Sequence, residues 1–336
     1  NHPINLFYIN QSIKEVLNAQ NDWAKLMEYA TDTSIEIIIS NVTEKGLVFD
    51  EIDDINIYSN SYPGKLLKLL YKRWVHFNGD ADKGWIILPT ELIPNNGNVL
   101  LNIILKLAVK HNLPDNFINW IKTNNEFCNT LVDRIVTNNI SNFDKNKLPY
   151  LDNLMINSEP FALWAIEIKN HKNAQKLSFS LNNNEVVITD NIQKYLNLKL
   201  RLLNATHTIL CGICLLTNVD TVYKSMQLSS IKNIIQTLMF DEIIPCIIDS
   251  ENITKEEAIN FANSVIDRFN NPYSVHYWET IAFNFEEKMK TRVSFLIEKY
   301  IHLNGKAPEM ISYGFTCFYI YMKVNVHKNI SFDDYC

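Results

Sequence analysis

Glycine is the most telling shortage in this sequence. The 336 residues hold eight, at positions 46, 64, 79, 84, 97, 212, 305 and 314. No two lie two or three residues apart, so a G-x-G-x-x-G turn for a dinucleotide pyrophosphate is absent from these residues. The one pair five apart, Gly79 and Gly84, is followed by Trp85 and Ile86, not by lysine and a hydroxyl residue, which excludes a Walker A loop. Basic clusters are also missing. Lysine and arginine total 31 against 37 acids, a net charge of −6, which argues against a nucleic-acid partner gripped through phosphates. The longest apolar runs, such as residues 208–216, are too short to span a bilayer, so no membrane partner is expected. The opening residues do not read as a secretion signal.

Six cysteines (Cys128, Cys211, Cys214, Cys246, Cys317 and Cys336) sit mostly in apolar contexts, without the density of a secreted disulfide scaffold, and a reducing, cytoplasmic setting is expected. Cys211 and Cys214 have CxxC spacing. No second CxxC exists and no proline separates them, which favours two small apolar residues of a buried helix over a redox pair or half a zinc site. No His, Cys and Asp cluster has zinc-ligand spacing, and no metal is expected.

What the sequence has in excess is asparagine, 44 residues spread along the whole chain and interrupted by apolar positions, which reads as a compositional bias and not as a prion-like tract. Hydrophobic residues make up 47% and charged residues 20%, enough for a sizeable core, and the length allows two domains. Periodicity predicts an amphipathic helix over 12–30, with Ile13, Val16, Leu17, Trp23, Leu26 and Met27 as its apolar positions. It predicts buried strands over 35–40 and 85–89. Helices follow over 63–77 (Leu66, Leu67, Leu69, Leu70 and Trp74 inward), 99–111 (Leu100, Ile103, Ile104 and Leu107 inward) and 117–125. Further strands are predicted over 131–136, 161–168 and 185–188, with a surface loop over 138–153. This alternation is that of an α/β layer with a parallel sheet. From about 191 onward the pattern is almost all helical, so a Rossmann-like domain over 1–195 and a mostly helical domain over 196–336 are expected; no internal repeat is evident.

The helix opening the second half carries the most chemistry. On an α-helix turning about 100° per residue, Asn204 lies about 140° and His207 about 80° from Lys199, so the three share one face. Leu202, Leu203, Ile209 and Leu210 take the opposite face. A partly buried lysine can serve as general acid or base, and an asparagine amide can meet an oxygen that gains negative charge. Taken alone, the same pattern also fits an ordinary polar helix face.

The spacing K-x4-N-x2-H inside KLRLLNATHT resembles the active-site motif of the polyol-specific long-chain dehydrogenases, the mannitol dehydrogenase family. Other segments are similar to family motifs in the same order: SNVTEKGL, LPTELIPNNG, TLVDRIV, EPFALWAIE and RFNNPYSVH. The longer stretches SYPGKLLKLLYKRWVHFNG, DKGWIILPTELIPNNG and NEFCNTLVDRIV point within the family to the branch that acts on sugar acids.

The resemblance implies an NAD-dependent, metal-independent oxidoreductase that interconverts tagaturonate and altronate. Fructuronate or a polyol such as mannitol is the alternative substrate, and a binding protein that has lost its cofactor is the non-enzyme alternative. It implies Lys199 as acid and base, Asn204 and Asn96 as carbonyl-polarising amides, and His207 orienting substrate or lysine. Thr43 and Glu44 would line the cofactor cleft, with turn capping as the alternative. A sugar-acid carboxylate calls for a cationic anchor, for which His276, Lys288 and Arg292 are candidates beside the alternative of a solvated charged face. Asp133 and Arg134 are expected to form an internal ion pair. Two departures stand out. Thr90-Glu91-Leu92 replaces Cys-Asp-Asn, and the family's N-terminal βαβ unit has no counterpart in these residues, so an upstream extension on the order of 100 residues is expected.

Overall fold

The computed structural model describes residues 8–43, 46–54, 59–137, 150, 152–248 and 251–325. The chain divides into two compact units, one of residues 1–130 with 166–181 and one of 131–165 with 182–336.

In the first unit, β-branched runs bury between helices as parallel strands. Strand β1 (Ile37–Ser40) pairs with β2 (Ile86–Pro89), Ile37 opposite Ile86, and β2 pairs with β3 (Glu126–Phe127). β2 is buried throughout, whereas β1 lies at one edge of this sheet and leaves Ile39 exposed, where a fully buried strand was expected. Helix α1 is Trp23–Tyr29, followed by α2 (Tyr62–His76), α3 (Asn96–Lys110) and α4 (Asp115–Asn124). Leu66, Leu67 and Leu70 of α2 meet Leu100, Ile104 and Leu107 of α3 and Phe117 and Ile121 of α4 in one core. Leu69 and Trp74 are only partly buried; Arg73 takes the inward position instead. Its guanidinium donates to the carbonyls of Ala30 (3.1 Å), Asp32 (2.9 Å) and Lys83 and lies over the Trp85 ring.

The predicted helix over 12–30 is cut to seven residues. Residues 8–22 are not helical, and Ile13 and Val16 are exposed. A short helix is marginal in water unless its apolar face is packed, and no described residue covers these side chains. The strand predicted over 131–136 is broken in two: β4 (Asn129–Asp133) and β5 (Val136–Thr137), with Arg134 and Ile135 between them. β5 pairs antiparallel with β6 (Asn157–Ser158), and β4 joins β7 (Leu163–Glu167) and β8 (Val186–Thr189) in a second sheet of order β4-β7-β8. The loop predicted over 138–153 lies almost wholly outside the described residues.

The second unit is built on α5 (Gln193–Leu216), a continuous helical run whose most apolar stretch is mostly buried. Around it stand α6 (Ser229–Gln236), α7 (Lys255–Phe269), α8 (Phe285–Arg292), α9 (Ser294–Asn304) and α10 (Glu309–Asn325). Leu202, Leu203, Ile209, Leu210, Met239, Val265, Trp278, Leu296 and Phe318 are among its core residues. α7 opens with a capping box between Thr254 and Glu257, which satisfies two of the helix's unpaired N–H groups.

Asparagine does work here that glycine does elsewhere. Of the eight described non-glycine residues with positive φ, seven are asparagines (78, 95, 112, 182, 218, 252 and 284). Asparagine tolerates the left-handed region because its short amide bonds locally to the backbone.

Candidate active site

Residues Leu198–Ala205 of α5 form a π-helix, with i to i+5 hydrogen bonding. That changes the geometry read from the sequence. A wider turn takes less rotation per residue, so Asn204 lies closer to the line of Lys199 than the roughly 140° of an ordinary α-helix. Lys199 is nearly enclosed, its side chain 12% exposed. Its Nζ donates to Val132 O at 2.7 Å and stands 3.8 Å from Asp133 Oδ1. Burial draws its pKa below the ordinary lysine value; Asp133 opposes this, and the charges of Arg268 and Arg292 add to it. The Asn204 side chain has no hydrogen bond to any described residue, and only its backbone carbonyl is engaged, by Thr208 Oγ1 at 2.8 Å.

Asp133 does not pair with Arg134. Arg134 points to the carbonyls of Glu159 (3.2 Å) and Pro160 (3.4 Å). The partner of Asp133 is Arg268, whose Nη1 and Nη2 donate to its two oxygens at 2.8 and 3.0 Å. The other edge of the same guanidinium donates to Glu159, Nε to Oε2 at 3.0 Å and Nη2 to Oε1 at 2.9 Å. All three side chains are at most 5% exposed, and the Phe161 ring covers the guanidinium at 4.2 Å. The interruption of the strand is built into this arrangement: the Glu159 carboxylate also accepts the N–H of Ile135, between β4 and β5. A residue adjacent in sequence cannot turn back onto Asp133 from a strand end, whereas Arg268 arrives on α7 with its fork matched to two carboxylates. Sequence reasoning did not single out Arg268 and Glu159, though both stood inside quoted motifs, RFNNPYSVH and EPFALWAIE.

His207 follows two residues beyond the π stretch and is buried. Its ring stacks on Phe269 (4.3 Å between centroids) and meets His276 (5.3 Å) and Trp278 (6.0 Å) edge-on. Burial, then the neighbouring His276 and the cations Arg268, Arg292 and Lys288, hold its pKa well below the usual histidine value, so the ring is neutral. His276 is likewise lowered, by burial and by Lys288. His207 Nε2, His276 Nδ1 and Trp278 Nε1 are buried and have no hydrogen-bond partner among the described residues. Beside them Lys288 donates to Ile281 O at 2.9 Å and Arg292 to Thr208 Oγ1 at 3.3 Å. Neither cation has a carboxylate within 4 Å among the described residues. The second unit therefore brings together Lys199, Asn204, His207, His276, Lys288 and Arg292; Trp278 had no signal in the sequence.

Asn96 belongs to the first unit and is fully buried. Its Nδ2 lies 2.9 to 3.0 Å from the carbonyls of Pro89, Glu91 and Thr130, and its Oδ1 accepts from the N–H groups of Gly97 and Thr130. In this arrangement it clamps the end of β2 to β4, and acting on a carbonyl would require it to give up one of these bonds. Thr43 is exposed beyond the end of β1, its carbonyl accepting the Gly46 N–H at 2.7 Å; Glu44 lies outside the described residues. At the same carboxyl ends of β1 and β2, Ser40 Oγ, Glu91 Oε2 and Tyr62 Oη are buried without a hydrogen-bond partner among the described residues. Ligands of open α/β sheets bind at this end of the strands, so the polar groups suit the border of a nucleotide site. The Gly-rich pyrophosphate turn is not among these residues. Cys211 and Cys214 are buried free thiols on α5, and burial pushes Cys214 up to about 12, as expected of core residues.

Residues 8–179 match the mannitol dehydrogenase Rossmann domain, and residues 191–330 match the mannitol dehydrogenase C-terminal domain. The chain belongs to the mannitol dehydrogenase family. A Rossmann-like domain with a parallel sheet followed by a helical domain is this family's architecture. Among its relatives is the altronate oxidoreductase of Yersinia enterocolitica, 33% identical over 309 residues, which are 90% of this chain and 63% of the relative. The altronate oxidoreductase of Bacillus subtilis is 34% identical over 318 residues, 93% of this chain and 65% of the relative. The chain thus spans a little under two thirds of the length of these mannitol dehydrogenase family members. Two solved structures share the fold: D-sorbitol dehydrogenase in substrate-free form (TM-score 0.74, 21% identical, 91% of this chain and 64% of that one) and Pseudomonas fluorescens mannitol 2-dehydrogenase in a ternary complex with NAD and D-mannitol (TM-score 0.68, 21% identical, 93% and 64%).

Proposed function

We propose that this chain is the greater part of a cytoplasmic NAD-dependent oxidoreductase that interconverts altronate and tagaturonate, with Lys199 as its general acid and base. The observation that carries the reading is the juxtaposition of a nearly enclosed, pKa-lowered lysine with a group of cations, Lys288 and Arg292, that has no carboxylate within 4 Å among the described residues. A substrate carboxylate would supply it. The relatives named altronate oxidoreductase support the same substrate class.

In the oxidation direction the neutral Lys199 amine takes the hydroxyl proton while the carbon becomes a carbonyl. On reduction the ammonium returns that proton. A nicotinamide dinucleotide supplies the hydride acceptor or donor. Asn204, with its amide unengaged, donates to the oxygen as negative charge grows on it. His207, neutral and held by Phe269, offers Nε2 to a substrate hydroxyl, as do His276 Nδ1 and Trp278 Nε1. Charge at the reacting oxygen is met by an ammonium and an amide, so the chemistry asks for no metal.

The test is substrate preference. A charge-assisted hydrogen bond to a carboxylate contributes roughly 1.5–3 kcal/mol, or about 10- to 150-fold in kcat/KM. Tagaturonate should be reduced that much more efficiently than fructose, and Lys288→Met or Arg292→Met should lower kcat/KM for tagaturonate more than for fructose. If the unaltered protein reduces fructose as efficiently as tagaturonate, the sugar-acid assignment is wrong and a polyol dehydrogenase takes its place.

A further inference from the structure

The network behind Lys199 contains more charge than proton transfer requires. Asp133, Glu159 and Arg268 are all buried, and none is needed to hold a sugar. Buried carboxylates are costly to desolvate, and an arrangement of two of them on one arginine calls for a physical reason. We propose that Arg268 is a positioning residue that engages both oxygens of Asp133, keeps that carboxylate from closing on Lys199, and so leaves the lysine able to exchange its proton. The inference rests on the reading of Lys199 as the acid and base.

The distances carry it. Asp133 accepts 2.8 and 3.0 Å bonds from Arg268, while Lys199 stands off at 3.8 Å and makes its short bond, 2.7 Å, to the neutral carbonyl of Val132. Charge-assisted N–H···O bonds run at about 2.7–2.9 Å, so at 3.8 Å the lysine keeps only a long ion-pair contact with the carboxylate, short of a full charge-assisted bond. Released from Arg268, Asp133 would pair with Lys199 and hold its proton, which makes a poor acid and a base scarcely present at neutral pH. Glu159 completes the device. It occupies the remaining edge of the guanidinium, so Lys199, Arg268, Asp133 and Glu159 sum to zero charge. The groups that face Lys199 from the packed elements are Asp133 on β4, Arg268 on α7 and Arg292 on α8, with neutral His207 further along its own helix. Arg292 lowers the proton affinity of Lys199 in the same sense as Arg268, but it has no hold on Asp133.

The experiment is the pH dependence of altronate oxidation by the full-length protein with NAD, from pH 6 to 10.5. Arg268→Gln combined with Glu159→Gln removes one charge of each sign and leaves Asp133 to Lys199. The half-point of the rising limb should move up by about one pH unit or more, a roughly 10-fold loss of rate on that limb, with a smaller loss on the high-pH plateau. Arg268→Lys should keep the half-point near its original place, and Asp133→Asn should move it down. A merely structural role would lower the plateau and leave the half-point where it was, and that result in a natively folded double variant overturns the proposal. Should the double variant fail to fold, the absence of a downward move in Asp133→Asn overturns it equally. The unaltered protein gives a third readout. Competitive acetylation of Lys199 across pH, read by mass spectrometry, should show an amine more acidic than surface lysines, and an ordinary value overturns the proposal. If Lys199→Ala keeps its turnover, the functional reading itself fails. If Lys199→Ala is inactive and the half-points do not move, only the role of Arg268 fails.

Discussion

Lys199 combines three properties of a proton-transferring amine. It is nearly enclosed, it bonds a neutral carbonyl in place of the nearby carboxylate, and burial together with Arg268 and Arg292 draws its pKa toward the working range. Asn204, on the same π-helical stretch, has an amide without a hydrogen bond to any described residue, whereas the amide of Asn96 is fully engaged in backbone bonds. Lys199→Ala should therefore lower turnover by at least about 100-fold, the usual scale of general acid–base catalysis. Affinity for NADH, followed by fluorescence titration, should survive, since the role proposed for Lys199 is at the substrate oxygen. Near-native turnover between pH 6 and 10 would remove Lys199 from the chemistry. At this scale the sequence was informative about residue type and poor about partners. The K-x4-N-x2-H spacing pointed to Lys199, Asn204 and His207. The pairing of Asp133 was misread, because the partner sits on α7, 135 residues away, and was selected by the cost of burying charge, which no local pattern records.

Helix α5 positions the site, and its own placement depends on close contact with α10. Gly212 and Gly314 make that contact possible. A Cβ on Gly212 would stand 2.7 Å from Phe318 N and 2.9 Å from Cys317 C, and one on Gly314 would stand 2.8 Å from Ile209 O. Backbone atoms cannot yield as a flexible side chain can. Gly212→Ala should cost roughly 1–3 kcal/mol by overpacking, a Tm lower by several degrees at about 2–4 °C per kcal/mol for a unit of this size. An unchanged melting temperature would show that the two helices are not packed this closely. Glu242, buried in the second π stretch (Thr237–Ile243), accepts the N–H groups of Met310 and Ile311 at the start of α10 and fixes its other end. Most strands and helices were legible from period alone, as α2, β2, α4, β7 and β8 illustrate. The π-helical form of 198–205 was not, since hydrophobic spacing does not distinguish one extra residue in a turn from an ordinary turn. The helix predicted over 12–30 failed at its first half for a related reason: amphipathic spacing shows that a face exists but not that anything packs against it.

For the molecule as a whole, two buried histidines tie stability to pH. His207 and His276 are both held below the usual histidine value, chiefly by burial. In the unfolded chain they bind protons near pH 6.5, while the folded form resists doing so. Stability from this source is fully present above about pH 6.5 and is lost as pH falls through the folded values. Tm should thus drop between pH 7.5 and 5, before carboxylates begin to titrate, and His207→Gln should flatten the slope over that window. A slope unchanged by the substitution would mean that the histidine takes up its proton as readily in the folded state as in the unfolded chain. Most of the order of strands and helices, the scarcity of glycine and the motif order shared with the mannitol dehydrogenase family could be read from the chain alone, because each is written in near neighbours along it, whereas the asparagines' place in left-handed turns emerged only from the backbone. Folding of distant segments settled that Asp133 and Glu159 share Arg268, that Lys288 and Arg292 have no carboxylate within 4 Å among the described residues, and that the helix around Lys199 and Asn204 takes the π form. Those outcomes depend on desolvation and on the partners that burial makes available, and such partners are set by packing between distant segments.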